Sequence, residues 1–395
     1  MTTFTPHCRL CYTKLHFIII LAFLFASKGG GLGGIGGVFG RYVKTGTSRS
    51  AFVSAANPSS SSTSSAMSSS SGNTSDECSL LPPKVMHQKD PNLWLYHVET
   101  TTSTMDEARK IVENITTSDN TDGDVTTPKS FLISAASQSR GRGTTQRNWK
   151  SSQRGNALFT IGIPQSAWMV DLKKKNHGSM VPLTLLPLKV GSLVAQQIQR
   201  SLEECIGQDE QSVPRVTVKW PNDVLLKQSS STAQSSYEKV AGILIESAKD
   251  WFIIGIGINV GYAPDIPKEG ADYGRQATCI SQYCNAAAAA AAPVDVKGDV
   301  NNEDYWVEVS KKLAVDIAYD LHSWIHPKSD ESYEHSGRAI LDKWKSFLDW
   351  DMELILRDTP KRERVKLTGV MEDGRVIVKE VETGTTRTLV ADYFL

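Results

Sequence analysis

The sequence predicts a mixed α/β domain followed by a small β-rich domain, and three observations support this fold class. Short apolar runs alternate with amphipathic segments of helical period between residues 91 and 348. Residues 353–395 are rich in β-branched positions and contain an Asp373-Gly374 turn signal. Residues 57–75 are almost all Ser, Thr, Asn and Gly, which is typical of a flexible linker. The 395 residues therefore accommodate two folded domains after a long leader.

The leader is predicted to be a targeting segment. Residues 7–16 are basic, and the apolar run at 17–26 is too short for the roughly 20 residues that span a bilayer. We therefore expect a signal peptide at 1–26. The first acidic residue is Asp76, and residues 27–90 are predicted to form a transit-like segment and Ser-rich linker. This bipartite leader resembles those that direct proteins to plastids, with the mitochondrion, the cytoplasm or simple secretion as alternatives.

Local signals along the chain predict the helices and strands of both domains. The first helix begins at residue 103, because Ser103 or Thr104 can cap it and Asp106 and Glu107 occupy its first turn. The remaining helices and strands follow from hydrophobic periods of 3.6 and 2 residues. The predicted strands are 93–98, 131–135, 157–163, 215–220, 240–246 and 251–260, and the predicted helices are 103–112, 183–206, 305–325 and 336–348. These give a main domain at 91–348 and a small β-barrel at 349–395.

Composition excludes several classes of protein. Basic and acidic residues balance at 43 each, so no basic excess indicates a nucleic-acid partner. The six cysteines lack the spacing of a zinc site, and we expect isolated reduced thiols and no bound metal. Reduced thiols would indicate an intracellular or organellar protein with no stable membrane span after processing.

A lysine lies at the end of one predicted strand. In residues 215–220, Val216, Val218 and Trp220 alternate onto the core face, and Thr217 and Lys219 point to the other face. Pro221 ends the strand and Asn222-Asp223 makes a turn. Lys219 is therefore either a solvated surface lysine or a site residue, and the pattern alone favours neither.

Two glycines lie inside the strand at 251–260. Gly255, Gly257 and Asn259 are spaced two apart, so they share a face of the sheet. Glycines inside a strand leave a shelf that a flat ring can approach. Tight packing of a helix is the alternative explanation.

The loop at 138–149 contains three arginines and no acidic residue, directly after a predicted strand. Backbone N–H groups and guanidinium groups of such a loop suit phosphate. A solvated loop or a nucleic-acid contact would have the same composition.

Together these segments resemble the biotin protein ligase and holocarboxylase synthetase family. The match is specific because five motifs occur in family order between residues 93 and 395. They are Ser103-Thr104, the loop with Gln138, Gly141-Arg142-Gly143, Arg147 and Trp149, the K-W-P-N-D run at 219–223, the K-V-A-G-I-L-I-E strand at 239–246, and the G-I-G-I-N-V strand at 255–260.

The resemblance implies a class II synthetase-like domain, with a mixed central sheet flanked by helices and a C-terminal SH3-like barrel. It implies that ATP, with Mg²⁺, activates biotin to biotinyl-5'-AMP, and that biotin passes to a lysine of a biotin carboxyl carrier domain. Carried over residue by residue, the catalytic residues are Lys219 and Arg142; biotin is bound by Ser103, Thr104, Gln138, Gly141, Arg142, Gly143, Trp149, Lys219 and Gly242; and the nucleotide is bound by Arg142, Arg147, Lys219, Gly255, Gly257 and Asn259.

Two positions in the loop depart from the family pattern. Thr144 stands where many members have an arginine, and Gln146 replaces a glycine. No helix-turn-helix segment precedes the catalytic part, so a repressor role is not expected. The alternatives are a lipoate ligase or octanoyl transferase of the same fold, and a non-catalytic biotin-binding regulator.

Overall fold

The structure is a computed structural model, and it describes most of the chain after residue 89. The described ranges are 90–118, 129–144, 148–151, 153–171, 180–207, 213–227, 237–267, 275–284, 303–326, 335–356 and 363–390. The leader, the Ser-rich linker, Arg147 and Gln146 lie outside these ranges.

A seven-stranded sheet forms the centre of the main domain, in the order β1-β2-β5-β9-β8-β7-β6. The pair β1–β2 is parallel and the other pairs are antiparallel, which confirms the predicted mixed sheet. Its strands are β1 (Leu93–Thr101), β2 (Ser130–Gln138), β5 (Ala157–Pro164), β6 (Arg215–Lys219), β7 (Asp223–Lys227), β8 (Tyr237–Ala248) and β9 (Trp251–Ile258). Two further strands, β3 (Gly141–Arg142) and β4 (Asn148–Trp149), pair with each other in the arginine-rich loop.

Helices cover both faces of this sheet. The helices are α1 (Thr104–Ser118), α2 (Leu186–Ile206), α3 (Glu303–Ile325) and α4 (Gly337–Ser346). Neighbouring residues of β2 show the two layers: Phe131 packs with the apolar face of α1, and Leu132 packs into the larger core with α2, α3 and α4. None of the helices in the described ranges is long and apolar enough to cross a membrane.

The helix starts agree with the sequence signals. Ser103 precedes α1, where its carbonyl accepts hydrogen bonds from the amides of Asp106 and Glu107. Ser336 caps α4 by accepting a hydrogen bond from the amide of Ala339 at 3.1 Å. Both residues satisfy N–H groups that have no partner within the helix.

Strand β7 is missing from the sequence prediction. Asn222-Asp223 does form a turn, but the chain then reverses at once and pairs with β6, so that Lys219 lies opposite Asp223. Both faces of β6 are buried: Val218 lies in the main core, Thr217 is fully buried and donates to the carbonyl of Phe347 just after α4, and Lys219 is only 4% exposed. The interpretation of Lys219 as a solvated surface lysine is therefore wrong.

The C-terminal residues form a four-stranded antiparallel sheet in the order β10-β11-β12-β13. Its strands are β10 (Glu353–Ile355), β11 (Arg364–Val370), β12 (Val376–Glu380) and β13 (Thr386–Leu389). The predicted turn is present, with Gly374 at a φ of 81°. The carbonyl of Gly374 accepts a hydrogen bond from Trp220 Nε1 at 3.0 Å, so this turn contacts the residue that follows Lys219. Closure of the sheet into a barrel stays a prediction.

The cysteine prediction is wrong for two residues. Cys205, at the end of α2, forms a disulfide with Cys284, which lies 79 residues later. Cys279 is the free cysteine among the described residues, and it is buried. Because disulfides persist mainly in oxidising compartments, the cysteines no longer support an intracellular or organellar location. The chain pattern missed this bond because the two sulfurs meet only after α2 and the 280–284 turn pack together.

Candidate functional site

A cleft lies between the start of α1, the loop that carries β3 and β4, and the centres of β8 and β9. Most of the residues predicted for the site line this one cleft, although they come from widely separated parts of the sequence. The predicted residues in its lining are Ser103, Thr104, Gln138, Arg142, Gly143, Trp149, Gly242, Gly255 and Gly257. Further lining residues are Met105, Thr144, Phe159, Asn222, Lys239, Ile243, Leu244 and Ile256.

One end of the cleft is polar and already ordered by hydrogen bonds. The side-chain oxygen of Gln138 accepts hydrogen bonds from the Thr104 amide at 2.7 Å and from the Thr104 hydroxyl at 3.2 Å. Thr160, on β5, donates to the same hydroxyl at 2.9 Å. Ser103 and Thr104 are both buried. These groups form a rigid polar cradle at the N-terminus of α1, suited to a small polar ring system.

The floor of the cleft is the glycine shelf, formed by Gly242 and Gly257. The indole of Trp149 lies against it, and a Cβ atom at Gly257 would come 2.5 Å from Trp149 Cε2. At Gly242 a Cβ atom would come 2.9 Å from Trp149 Cζ3. A Cβ at either position would meet the protein's own Trp149 indole; the approach of a ligand ring to Gly257, which the sequence suggests, stays a prediction. Gly255 differs, since Met105 of α1 packs against it, so helix packing explains that glycine.

Lys219 lies behind the cleft, in a cluster with Asp223 and Lys239. Lys219 Nζ is 3.5 Å from one carboxylate oxygen of Asp223, and Lys239 Nζ is 2.6 Å from the other. Burial lowers the pKa of Lys219 to about 8, against the opposing effect of Asp223. Burial alone would raise the pKa of Asp223, but the charges of Lys239 and Lys219 lower it to about 2. The cluster therefore carries a net positive charge at neutral pH.

Lys239 is the lysine that faces the cleft, and it is not among the site residues predicted from the sequence. Strict alternation along β8 places Lys239 and Gly242 on opposite faces, because they are three residues apart. A register shift between Val224 and Leu225 of β7 pairs these residues with Ala241 and Lys239, so one residue of β8 is extra. This β-bulge brings Lys239 onto the glycine side, where its Nζ would lie 3.0 Å from a Cβ at Gly242. No pattern in the sequence marks the bulge.

Arg142 reaches the rim of the cleft and binds two carboxylates. Its Nη2 is 2.8 Å from Asp106 of α1, and its Nη1 is 3.2 Å from Glu246 of β8. Arg109 pairs with the same two carboxylates. The four side chains form an alternating square of charges, which joins the loop to both sides of the cleft.

Three other predicted residues do not line the cleft. Gly141 supports the loop from behind, since a Cβ there would come 2.6 Å from the carbonyl oxygen of Trp149. Asn259 is buried and donates from Nδ2 to the carbonyl of Thr278 at 3.0 Å. Lys219 is the third, and it lies opposite Asp223 on the paired strand β6. The role predicted for each in ligand binding stays a prediction, as does that of Arg147.

Comparison with protein families gives an independent match to the same region. Residues 108–262 match the model of the Biotin/lipoate A/B protein ligase family. Two relatives with assigned activities align over part of the chain. The Biotin--[acetyl-CoA-carboxylase] ligase of Mycobacterium tuberculosis is 28% identical over 136 residues, which is 34% of this chain and 41% of the relative. The Bifunctional ligase/repressor BirA of Bacillus subtilis is 32% identical over 161 residues, 39% of either chain.

The matched segments thus span about two fifths of the length of these relatives. Among solved structures, the biotin protein ligase of Leishmania major, in complex with biotin, is similar at 26% identity. That superposition covers 77% of this chain and 100% of the other, with a TM-score of 0.44.

Proposed function

We propose that this chain, a member of the biotin/lipoate A/B protein ligase family by its residues 108–262, is a biotin protein ligase. It activates biotin with ATP and transfers the biotinyl group to a lysine of a carboxylase carrier domain. ATP is taken up with Mg²⁺ as part of that substrate. No group of three or more His, Cys, Asp or Glu within the described ranges is arranged to hold a metal ion.

One observation carries the proposal: the polar cradle, the glycine shelf and Lys239 of the lysine cluster line one cleft. The cradle of Ser103, Thr104 and Gln138 suits the ureido ring of biotin, which offers both donors and acceptors. Trp149 and the glycine shelf suit flat or apolar parts of the ligand. Lys239 suits the anionic end of the ligands, where the carboxylate of biotin meets the α-phosphate of ATP.

In the first reaction a carboxylate oxygen of biotin attacks the α-phosphorus of ATP, and pyrophosphate leaves. Two anions must approach each other, so positive charge in a dry site lowers the barrier most. Lys239 lines the cleft and Lys219 adds charge from behind through the shared Asp223. Asp223 keeps both ammonium groups in place before substrate arrives, so little reorganisation is needed.

In the second reaction the amine of the carrier lysine attacks the carbonyl carbon of biotinyl-5'-AMP, and AMP leaves with the bonding electrons. The adenylate is a mixed anhydride that water also attacks, so the site must hold it under cover. The described parts of the loop, 138–144 and 148–149, border the cleft, with Trp149 on the glycine shelf. The loop therefore supplies the cover.

The test is incubation of the purified protein with biotin, ATP, Mg²⁺ and a biotin carboxyl carrier domain. We expect biotin-dependent pyrophosphate release and a biotinylated carrier lysine, detected by mass spectrometry. Lipoate or octanoate with a lipoyl domain serves as the matched control and should give no product. Transfer of lipoyl or octanoyl groups would favour the alternative ligase. Biotin binding without pyrophosphate release would favour a non-catalytic regulator.

We also propose that residues 1–90 direct the protein to a plastid through the secretory route. The support is the sequence, with a short apolar run and no acidic residue before Asp76. A fluorescent protein fused to residues 1–90 should enter plastids. Retention in the cytosol, secretion or uptake by mitochondria would contradict this address.

A further inference from the structure

The arginine-rich loop has few attachments to the rest of the domain. Its two short strands, β3 and β4, pair only with each other. At its base, the amides of Ser139 and Arg140 donate to the carbonyls of Thr101 and Thr102. Beyond that base, the described contacts that fasten the loop across the cleft include the Trp149 indole and the Arg142 guanidinium. Arg142 is therefore one of the side chains that set where the loop lies.

The guanidinium of Arg142 is held at both ends. Nη2 is 2.8 Å from Asp106 Oδ1, and Nη1 is 3.2 Å from Glu246 Oε2 and 3.4 Å from Glu246 Oε1. Asp106 lies one turn into α1, the helix that supplies the polar cradle. Glu246 lies on β8, the strand that supplies Lys239 and Gly242. The Arg142 side chain thus connects the loop to both α1 and β8.

Arg109 binds the same two carboxylates as Arg142. It pairs with Asp106 at 3.0 Å and also contacts Glu246, so each carboxylate has two guanidinium partners. The carboxylates are therefore fixed before the loop arrives, and they present a preformed site for one more guanidinium. The side chains are 29–38% exposed, so each pair is partly screened by solvent.

We propose that Asp106 and Glu246 are positioning residues, which hold the loop over the cleft by binding Arg142 and so retain biotin and its adenylate. The effect on retention rests on the proposed function; the effect on the loop does not. With both ends of its guanidinium on carboxylates, Arg142 serves the loop rather than the reacting phosphate.

The main variants are Glu246→Gln and Asp106→Asn, with Asp106→Glu as the charge-conserving rescue. Loss of one partly exposed charge-assisted contact should raise the KM for biotin and the rate of adenylate release about three- to tenfold. The kcat at saturating biotin should change less than the KM, because the lysine cluster is untouched. Asp106→Glu should restore most of the KM. The matched control is Glu353→Gln, since Glu353 has 39% exposure and two basic partners in the C-terminal sheet.

A second measurement reads the loop directly. Trypsin cleaves after Arg140, Arg142 and Arg147, so the loop contains its own probe. Cleavage there should be about three- to tenfold faster in Glu246→Gln than in the wild type, and unchanged in Glu353→Gln. In an Arg142→Met background, Glu246→Gln should cause no further increase in the rate of cleavage, because both changes remove the same contact.

Unchanged cleavage and unchanged KM in both main variants would overturn the proposal. Additive effects in the double variant would also overturn it, since Glu246 would then act without Arg142. A wild-type protein that adenylates no biotin would refute the proposed function instead, and the cleavage rates would still decide whether the square holds the loop.

Discussion

The two walls of the cleft are built in different ways. The strand wall consists of β8, β9 and the lysine cluster, whose residues all belong to one seven-stranded sheet, and even Lys219, on the edge strand β6, is only 4% exposed. The loop wall is described at residues 138–144 and 148–149, where its contacts include two-residue strands, one indole and one guanidinium. The strand wall therefore carries preformed charge and shape, and the loop wall is suited to open and close.

The difference predicts which property each wall controls. Preorganised charge lowers a reaction barrier because it needs no rearrangement during the reaction. A cover held by few contacts instead controls entry, release and access of water. Changes in the strand wall should therefore reduce the rate of adenylation, and changes in the loop wall should alter the lifetime of what is bound.

The largest effect is expected from Lys219→Ala. Removal of one preorganised charge should slow adenylation by roughly 10²–10³-fold. The fold should survive, because Asp223 keeps Lys239 at 2.6 Å and the cost of burying Lys219 disappears. Single-turnover pyrophosphate release measures the rate, and thermal melting checks the fold. A fully active variant would show that the charge of Lys219 does not contribute to adenylation.

The next effect concerns the loop wall and Arg147, which lies outside the described ranges. Threonine cannot hold phosphate as an arginine fork does, so with Thr144 in the loop we expect Arg147 to be the anchor that remains for the adenylate. Arg147→Ala should speed release of biotinyl-5'-AMP roughly ten- to a hundredfold, as for loss of one charge-assisted hydrogen bond. Thr144→Arg should slow release. Rapid filtration decides this, and unchanged release in Arg147→Ala would mean that other contacts close the loop.

A smaller effect is expected at the glycine shelf. Gly257→Ala puts a methyl group 2.5 Å from the Trp149 indole, so the ring must shift. Overpacking of this kind costs roughly 1–3 kcal/mol, and biotin affinity should fall about tenfold. Gly191→Ala is the matched control, since its new methyl group meets nothing closer than 3.8 Å. Equal affinities in the two variants would show that the shelf is not used by the ligand.

The pH dependence tests the same lysine cluster without a large mutation. The pKa of Lys219 is lowered to about 8, so its ammonium is charged below that pH and neutral above it. The kcat/KM for adenylation should therefore fall as pH rises through about 8, because this parameter reports the free enzyme. In Lys219→Arg the fall should move to higher pH, since a guanidinium keeps its charge. A flat wild-type profile up to pH 9.5 would contradict the role of this charge.

The smallest effect on adenylation is expected from the disulfide. Cys205→Ser removes a bond that closes 79 residues of chain, and it should lower the free energy of unfolding by roughly 2–4 kcal/mol. Neither sulfur lines the cleft, so the folded variant should adenylate biotin at a rate close to that of the wild type. Denaturant unfolding with and without a dithiol reductant measures the first effect. Equal stability of the two forms would show that the bond constrains nothing.

Sequence patterns predicted the parts of the fold and site that depend on local order. The cap at Ser103, the two strands β8 and β9 and the close packing at Gly257 follow from period and residue type. Lys239 was missed because a β-bulge changes the alternation on which the prediction depends. The Cys205–Cys284 bond was missed because it joins residues that only tertiary packing brings together. Burial of Lys219 was missed because alternation does not show what packs on the second face of β6, where Thr217 contacts the carbonyl of Phe347, far away in the sequence.

The disulfide also has a mechanical consequence. The residues between its two ends include β6, β7, β8 and β9, so the whole strand wall lies within one covalent ring. When the chain is pulled from its termini, force passes through the bond and leaves that ring unstretched. At about 3.6 Å per residue, full extension of the oxidised chain should be about 280 Å shorter than that of the reduced chain. A single-molecule stretching experiment would therefore show, for each molecule, whether the bond is present.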